Sequence, residues 1–556
     1  MIFKTINSFY RWIADQVLND AEAAKSRRDC TASAPSCRRM PASPNHWGLT
    51  SSSTSWLRGT CVAQSTSKHA MTFLLLLMAT LPVFSQKYEI SIELKSRNDT
   101  VILGHYFAKN DLLISDTIAI LKNGKGVIRG NKKLAKGVYF IFNDRKRFDI
   151  IIGDNQQFGI VTDTTDFINR TKFTNSPEND VFYEFQRYNA QRGKEFQQLN
   201  EQFKNATSDT EKMEIRTKLQ TLIKERIKFV EQLAEANNHL YVSKFLRTLV
   251  PVETHLPDPP KDEQGNITDP EFQYRWYRAH FFDNLNIFDP DMLRTPFYED
   301  KVMEFMTRVI PQHPDTICVE AGKILSKAKV NDDIFRCVLV SLFNYYAKSK
   351  VMVHENVWVH LAEKWYIPYA WWSTDDYIET LKKEVVKKTP NLIGKPVPPL
   401  EMLMVLPTEH FKAAALDTAI KFDVHAGKMI QNFRKELLKS NFTAIIFWDY
   451  SCGHCKKFME EMLQVYEELK NNGLSVITVQ TVNTKEAKGK WIDWMNEKQM
   501  LGWTNAWSPY DNKYRELYDI SSTPKLFLLD EKGEIIGKGI EPEYIKDFLN
   551  VRPMNN

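Results

Sequence analysis

The pattern of apolar and polar positions changes three times along the 556-residue chain. Apolar and polar residues alternate at a period of two over residues 87–175, which predicts strands with one buried face. Between residues 176 and 390 the apolar positions recur every three to four residues, as in amphipathic helices. Residues 391–553 combine short apolar runs with helical stripes. We therefore predict a multi-domain protein with an N-terminal all-β sandwich (86–175), a central all-α helical domain and a C-terminal α/β domain.

The first 85 residues do not follow any of these patterns. Residues 1–70 show little periodicity, and the apolar run at 71–85 has the length of a signal peptide, too short for a transmembrane helix. Val83 and Ser85 are small enough for the −3 and −1 positions of a signal-peptidase site. We expect translation to start at Met71, with residues 1–70 an upstream artefact or disordered, and the protein to be exported to the periplasm or cell envelope. The alternative is a genuine N-terminal extension.

Charge and membrane anchoring narrow the range of partners. Residues 1–70 contain nine Lys/Arg and four Asp/Glu, so they account for the whole formal charge of +5. The rest of the chain is neutral and has no basic field for nucleic acid, so we expect no nucleic-acid partner. No lipobox cysteine follows the apolar run, so no stable membrane anchor is expected after signal cleavage.

The C-terminal region contains a Cys-x-x-Cys motif, Cys452-Gly-His-Cys455, between a predicted strand and a predicted helix. A helix N-terminus favours a thiolate over a thiol, so Cys452 is the predicted nucleophile. Cys455 lies one helical turn further and can resolve a mixed disulfide. His454 is expected to stabilise the thiolate. The predicted elements are strands at 443–448, 474–480, 525–529 and 534–539, and helices at 453–470, 486–498 and 541–550.

A zinc site and a structural disulfide are the other possible roles for Cys452 and Cys455. A zinc site would need two further ligands, and no second Cys-x-x-Cys or nearby His pair exists, so we expect no metal and no cofactor. A structural disulfide between Cys452 and Cys455 is the remaining alternative. Cys318 and Cys337 lie on apolar helical faces, as buried free thiols or as a disulfide, which an exported protein permits.

The element order of the C-terminal region, with the motif after the first central strand, resembles the thioredoxin fold. Two further segments strengthen this resemblance: Phe447-Trp448 before the motif and Ser522-Thr523-Pro524 before a later strand. The entry at 393–396 and the insert around Trp491 and Trp494 look like the TlpA-type exported branch. The whole layout is similar to multi-domain thiol–disulfide oxidoreductases of Bacteroidetes-type bacteria.

The resemblance implies a site and a function. Pro524 is expected to be cis beside the sulfurs, and Thr523, Pro524 and Trp448 are expected to contact the substrate. Thioredoxin has a buried acid where this chain has Ile446, so Glu486 is our candidate proton acceptor.

The implied activity is an exported thiol–disulfide oxidoreductase for protein thiols and disulfides. It would act as a reductase or isomerase in cell redox homeostasis, with cytochrome c maturation as one candidate process. An unidentified redox protein would donate or accept the electrons. The alternative function is a non-enzymatic envelope adaptor that binds through its β and helical domains.

Overall fold

The computed structural model describes residues 88–96, 98–143, 145–400, 404–405, 428–429, 440–482, 485–500, 503–507 and 513–550. The predicted upstream segment and signal peptide lie outside these residues and stay predictions. In the described part, no helix is both long enough and apolar enough to cross a membrane.

The first described region is a sandwich of two four-stranded sheets, with strand orders β4-β1-β7-β8 and β3-β2-β5-β6. In β1 the side chains of Ile90, Ile92 and Leu94 are buried, and the intervening residues are more exposed. This alternation produces the inter-sheet core, because successive side chains of a strand point to opposite faces. The strands are β1 (Tyr88–Lys95), β2 (Thr100–Phe107), β3 (Lys109–Ile120), β4 (Lys125–Gly130), β5 (Gly137–Asn143), β6 (Lys146–Ile152), β7 (Gln157–Asp163) and β8 (Lys172–Thr174).

The central region is helical, and its two longest helices form a pair. Ser208 begins the second of them, its side chain accepting a hydrogen bond from the Glu211 N–H. The helices are α1 (Phe167–Arg170), α2 (Pro177–Asn205), α3 (Asp209–Ala236), α4 (Tyr241–Arg247), α5 (Phe272–His280), α6 (Tyr298–Glu304), α7 (Pro314–Ala328), α8 (Asp332–Lys348), α9 (His354–Leu361), α10 (Ile367–Tyr369) and α11 (Asp375–Lys388). Short 3₁₀ or π turns occupy Val252–His255, Pro290–Arg294, Phe305–Val309, Ala362–Tyr366 and Thr389–Asn391.

The sandwich and the helical region share buried contacts. The Asn179 side chain, fully buried in the first turn of α2, accepts a hydrogen bond from the Ile151 N–H and donates one to the Ile151 carbonyl (2.7 and 2.8 Å). The buried Glu178 carboxylate accepts the N–H groups of Tyr241 and Val242 at the start of α4 (3.0 and 2.7 Å). These bonds fix α2 against β6 on one side and against α4 on the other.

The C-terminal region has a seven-stranded sheet of order β10-β9-β13-β12-β11-β14-β15. Strands β11, β12 and β13 are parallel, and β14 pairs antiparallel with β11. The elements are β9 (Met404–Val405), β10 (Lys428–Met429), β11 (Phe442–Trp448), α12 (Gly453–Leu469), a 3₁₀ turn (Lys470–Asn472), β12 (Leu474–Gln480), α13 (Lys485–Glu497), β13 (Thr504–Trp507), α14 (Lys513–Leu517), β14 (Lys525–Leu529), β15 (Ile535–Lys538) and α15 (Pro542–Asn550).

The predicted fold class, β-sandwich, helical domain and C-terminal α/β domain, is confirmed. The predicted C-terminal elements agree with the structure to within one residue at each end. Among the described C-terminal elements, four short ones were not individually predicted: β9, β10, β13 and α14. The domain boundaries at residues 175 and 390 stay predictions.

Cys318 and Cys337 are free thiols in this structure. Burial raises the pKa of Cys318 to about 11 and that of Cys337 to about 12.

Candidate active site

The Cys452–Cys455 pair lies where β11 meets α12. Residues Thr443 to Trp448 of β11 are completely buried, so the strand is a fixed base for the turn that follows. Cys452 is the N-cap of α12, and its carbonyl accepts the Lys456 N–H (3.1 Å). The strand therefore delivers the first cysteine directly to a helix N-terminus.

Asp449 shapes the turn between β11 and α12. Its Oδ1 accepts hydrogen bonds from the N–H and the hydroxyl of Ser451 (2.8 and 2.7 Å), and its carbonyl accepts the Cys452 N–H (3.2 Å). A carboxylate that bonds the backbone two residues later is a common way to stabilise a tight turn. Asp449 is thus engaged in holding the loop that presents Cys452.

The Cys452 thiol is half-buried, and its pKa is lowered. The largest cause is the backbone N–H of Cys455, followed in the same direction by the Cys455 thiol and the His454 N–H. These N–H groups are among the unpaired donors of the first helical turn, which stabilise negative charge. The structure thus shows a physical cause for a reactive thiolate at Cys452.

Cys455 has the opposite environment. Its side chain is fully buried, and this desolvation raises the pKa of its thiol. A hydrogen bond from the Thr523 side chain acts in the other direction and lowers that pKa. The negative charge of a Cys452 thiolate would raise it further. Of the two thiols, Cys452 is therefore the one that ionises more readily, and Cys455 is the one that keeps its proton more readily.

The loop before β14 brings Thr523 and Pro524 to the sulfurs. The Thr523–Pro524 peptide bond is cis, as the resemblance implied, and both residues are partly exposed. The family resemblance implies only a substrate contact for Thr523. Its hydroxyl contact with Cys455 was missed, because nothing in the sequence fixes a side-chain rotamer.

Two predicted site residues lie in different surroundings. Trp448 is fully buried and packs on Trp494 with ring centroids 5.2 Å apart, and its contact with the substrate stays a prediction. Because Trp448 is the last residue of the buried strand β11, its indole packs in the core beneath α12. The His454 side chain is exposed, and only its backbone N–H acts on Cys452. A role for its imidazole stays a prediction.

The buried acid of thioredoxin has no counterpart on β11. Ile446 is fully buried and lies on the same face of the strand as Ala444 and Trp448, towards Cys455 in the same apolar cluster. Glu486 belongs to α13, but its side chain lies outside the described part, so its role as proton acceptor stays a prediction.

The open side of the motif is lined by small and cationic residues. A Cβ atom added to Gly453 would meet nothing within 4 Å, so the space beside Cys452 is accessible. Lys456 lies 5.9 Å from the Tyr450 ring, and Lys457 pairs with Glu461 at 3.5 Å. A disulfide can thus approach Cys452 from solvent and cannot reach Cys455 directly.

Comparison with known proteins agrees with this geometry. Residues 440–535 match a family model described as thioredoxin-like. Residues 88–182 and 228–395 each match a model described as a domain of unknown function. A segment of 130 residues is 24% identical to nucleoredoxin of Xenopus laevis and spans 23% of this chain and 31% of nucleoredoxin.

Several solved structures are also similar. One is a domain of a possible thiol-disulfide isomerase from Cytophaga hutchinsonii, with 24% identity, 29% of this chain and 92% of that chain covered, and a TM-score of 0.23. Another is a thioredoxin-like protein from Bacteroides caccae, with 16% identity, 53% and 98% covered, and a TM-score of 0.35. The family match, the strand order and the Cys452–Pro524 site agree: residues 440–535 form a thioredoxin-like domain.

Proposed function

We propose that this protein is a thiol–disulfide oxidoreductase that exchanges disulfides with protein substrates through Cys452 and Cys455. One observation carries the proposal. An accessible thiol of lowered pKa lies at the N-terminus of α12, and a buried thiol of raised pKa lies one turn inside the same helix. Thiol–disulfide exchange needs an attacking thiolate and a second thiol that is protected until the first has reacted.

The reaction follows from the two environments. The Cys452 thiolate attacks one sulfur of a substrate disulfide, the S–S bond breaks, and the departing substrate thiolate takes up a proton. Cys455 then loses its proton and attacks the Cys452 sulfur of the mixed disulfide. The second substrate thiol leaves, so the substrate gains two electrons and the enzyme holds a Cys452–Cys455 disulfide.

Thr523 supports the second step. Its hydroxyl bonds to Cys455 and favours the thiolate that must form there, which partly offsets the burial of that thiol. The adjacent backbone of Thr523 and Pro524 is partly exposed and offers hydrogen-bonding groups to an extended substrate chain, as the family resemblance implies.

The reduction potential of the cysteine pair decides whether the protein acts as a reductase or as an isomerase. A Gly-His pair between the cysteines resembles disulfide isomerases and implies a less reducing potential than thioredoxin. A potential near about −270 mV would favour a reductase, for which cytochrome c maturation is a candidate process, and one near about −180 mV would favour an isomerase. We further propose that the protein acts in the periplasm or cell envelope, after cleavage of the segment at 71–85, with a second redox protein as electron partner.

The test is reduction of insulin disulfides by dithiothreitol, with and without the protein. We expect the wild type to accelerate the reaction and Cys452→Ser to abolish the acceleration. Cys318→Ser is the matched control, because it removes a free thiol of the helical region from α7. Equal rates for wild type and Cys452→Ser would refute the enzyme and leave the adaptor function.

A further inference from the structure

The loop that carries Pro524 contacts the helical domain at its base. This loop, residues 518–524, connects α14 to β14. Asn391, just after α11, donates from its side chain to the Leu517 carbonyl (2.9 Å). Lys387, in the last turn of α11, places its Nζ 2.8 Å from Asp519 Oδ1. Both contacts come from outside the thioredoxin-like domain.

Asp519 connects this contact to the active site. Its other carboxylate oxygen lies 3.8 Å from Lys388 Nζ and 3.9 Å from Lys525 Nζ. Lys525 also donates a hydrogen bond to the Asp519 carbonyl, so the two ends of the loop are joined. Lys525 directly follows Pro524 and begins β14. A cation of the helical domain and a cation next to the substrate loop therefore share one carboxylate.

The backbone conformation of Asp519 determines the direction in which its carboxylate points. Asp519 has a φ of +50°, a left-handed conformation that Asp tolerates better than most residues. The reversal is closed by hydrogen bonds from the N–H groups of Asp519 and Ile520 to the carbonyls of Glu516 and Arg515 (3.2 and 2.8 Å). It turns the carboxylate towards α11, while Thr523, four residues later, reaches Cys455.

We propose that the helical domain positions the 518–524 loop for protein substrates through Lys387 and Asp519, which are positioning residues and not catalytic ones. The inference rests on the proposed function. A protein substrate needs both Cys452 and an ordered loop for its chain to pair with, whereas a small disulfide needs only Cys452. Loss of the contact between Lys387 and Asp519 would therefore weaken the binding of protein substrates and leave the reaction with small disulfides unchanged.

The test is Lys387→Glu, which places a carboxylate beside Asp519. We expect the KM for insulin to rise about threefold or more, the range that ion-pair energies on partly exposed surfaces allow, with kcat unchanged. The rate with glutathione disulfide should stay at the wild-type value. Hydrogen exchange of residues 518–524 should become faster, while that of α12 should not change.

The matched control is Lys382→Glu, since Lys382 lies on the exposed face of the same helix and pairs with Glu379 of that helix (2.7 Å). Lys387→Arg should retain the wild-type KM. The inference is overturned if Lys387→Glu behaves like Lys382→Glu, or if both substrates are slowed in proportion. If the wild type fails to reduce insulin, the proposed function fails, and the exchange of the 518–524 loop still decides whether α11 anchors it.

Discussion

At the scale of single residues, the chemistry depends on how two identical side chains are made different. N–H groups in the first turn of α12 donate hydrogen bonds to Cys452 and lower its pKa, whereas burial removes Cys455 from water and raises its pKa. The Thr523 hydroxyl is the one side-chain donor from outside the motif that acts on Cys455 among the described residues. Together with a backbone hydrogen bond from Asp449, it lowers the pKa of the buried thiol against the larger effect of burial.

Thr523→Val removes this hydroxyl and keeps the shape of the side chain. We expect the pKa of Cys455 to rise and resolution of the mixed disulfide to slow about tenfold, because hydrogen bonds to charged groups contribute ~1.5–3 kcal/mol. The rate of alkylation of Cys452 should change little. Stopped-flow measurement of substrate release from a preformed mixed disulfide tests this. Thr380→Val on α11, whose hydroxyl bonds only the Asp376 carbonyl (2.9 Å), is the control, and equal release rates in the two variants would contradict the prediction.

The positions of Cys452, Cys455 and Pro524 could be predicted, because short motifs fix them locally. The complete burial of Trp448 could not be predicted, because aromatic residues serve both cores and binding surfaces. Its burial depends on Trp494 and other residues brought together by the fold. The contacts of Thr523 with Cys455 and of Asp519 with Lys387 are tertiary, so no local sequence pattern reveals them.

At the scale of elements, the long patterned ones were predictable and the short ones were not. Strands β11 and β12 have seven residues each and are rich in buried apolar side chains, so the sequence pattern predicts them. Strand β13 has four residues, and its place in the sheet is set by pairing with β12. Asn505 in β13 accepts a hydrogen bond from the buried Thr478 hydroxyl of β12 (2.8 Å), a stabilising contact that no local pattern reveals.

Asp149 of β6, close to α2, has a carboxyl group whose pKa is raised. Burial raises the pKa of Asp149 to about 6, although a hydrogen bond from the Tyr106 hydroxyl (2.8 Å) and the charge of Arg147 oppose this. The Tyr183 hydroxyl of α2 donates to the backbone carbonyl of Asp149 (3.2 Å). A folded pKa above the ordinary value of 3.8 means that the neutral form is favoured in the folded state.

The raised pKa of Asp149 determines whether the stability of the folded state rises or falls with pH. The contribution of the protonated Asp149 is fully present below pH ~4 and is lost as pH rises through about 6. The difference between the two pKa values corresponds to at most ~3 kcal/mol. Asp149→Asn should be more stable than the wild type at pH 8 and should lose this dependence between pH 4 and 6. Urea unfolding at several pH values tests it. Asp99→Asn, at an exposed carboxyl before β2, is the control, and an unchanged pH profile in Asp149→Asn would refute the assignment.

At the scale of the whole molecule, the helical and thioredoxin-like domains are joined by backbone and by charge. The connecting segment runs beside the edge strand β15, with hydrogen bonds from the Gly394 N–H to the Ile535 carbonyl and from the Ile535 N–H to the Lys395 carbonyl (both 2.8 Å). The Asn356 side chain of α9 donates to the Ile393 carbonyl (2.8 Å). An edge strand covered in this way is protected from pairing with other chains.

A carboxylate at the centre of this interface holds cations from both domains. Glu355 of α9 accepts hydrogen bonds from Lys388 of α11 (2.9 Å) and from Lys538 of β15, and Lys538 also donates to the Asn391 carbonyl (2.9 Å). Burial alone would raise the pKa of Glu355, but Lys538 and Lys388 together lower it. The ionised form is therefore favoured when the domains are docked.

Glu355→Gln should weaken the docking of β15, because it leaves Lys538 and Lys388 without their shared counter-charge. We expect a loss of roughly 1–3 kcal/mol of protection at pH 7, measured by hydrogen exchange of the β14 and β15 peptides in urea. Since the folded pKa is depressed, the stabilisation is present above the unfolded pKa of ~4.3 and is lost as pH falls through the folded value. The difference between variant and wild type should therefore shrink in acid. Glu379→Gln, which removes the exposed partner of Lys382, should not alter this exchange. Equal exchange of the β14 and β15 peptides in Glu355→Gln and wild type at pH 7 would mean that this charge does not join the two domains.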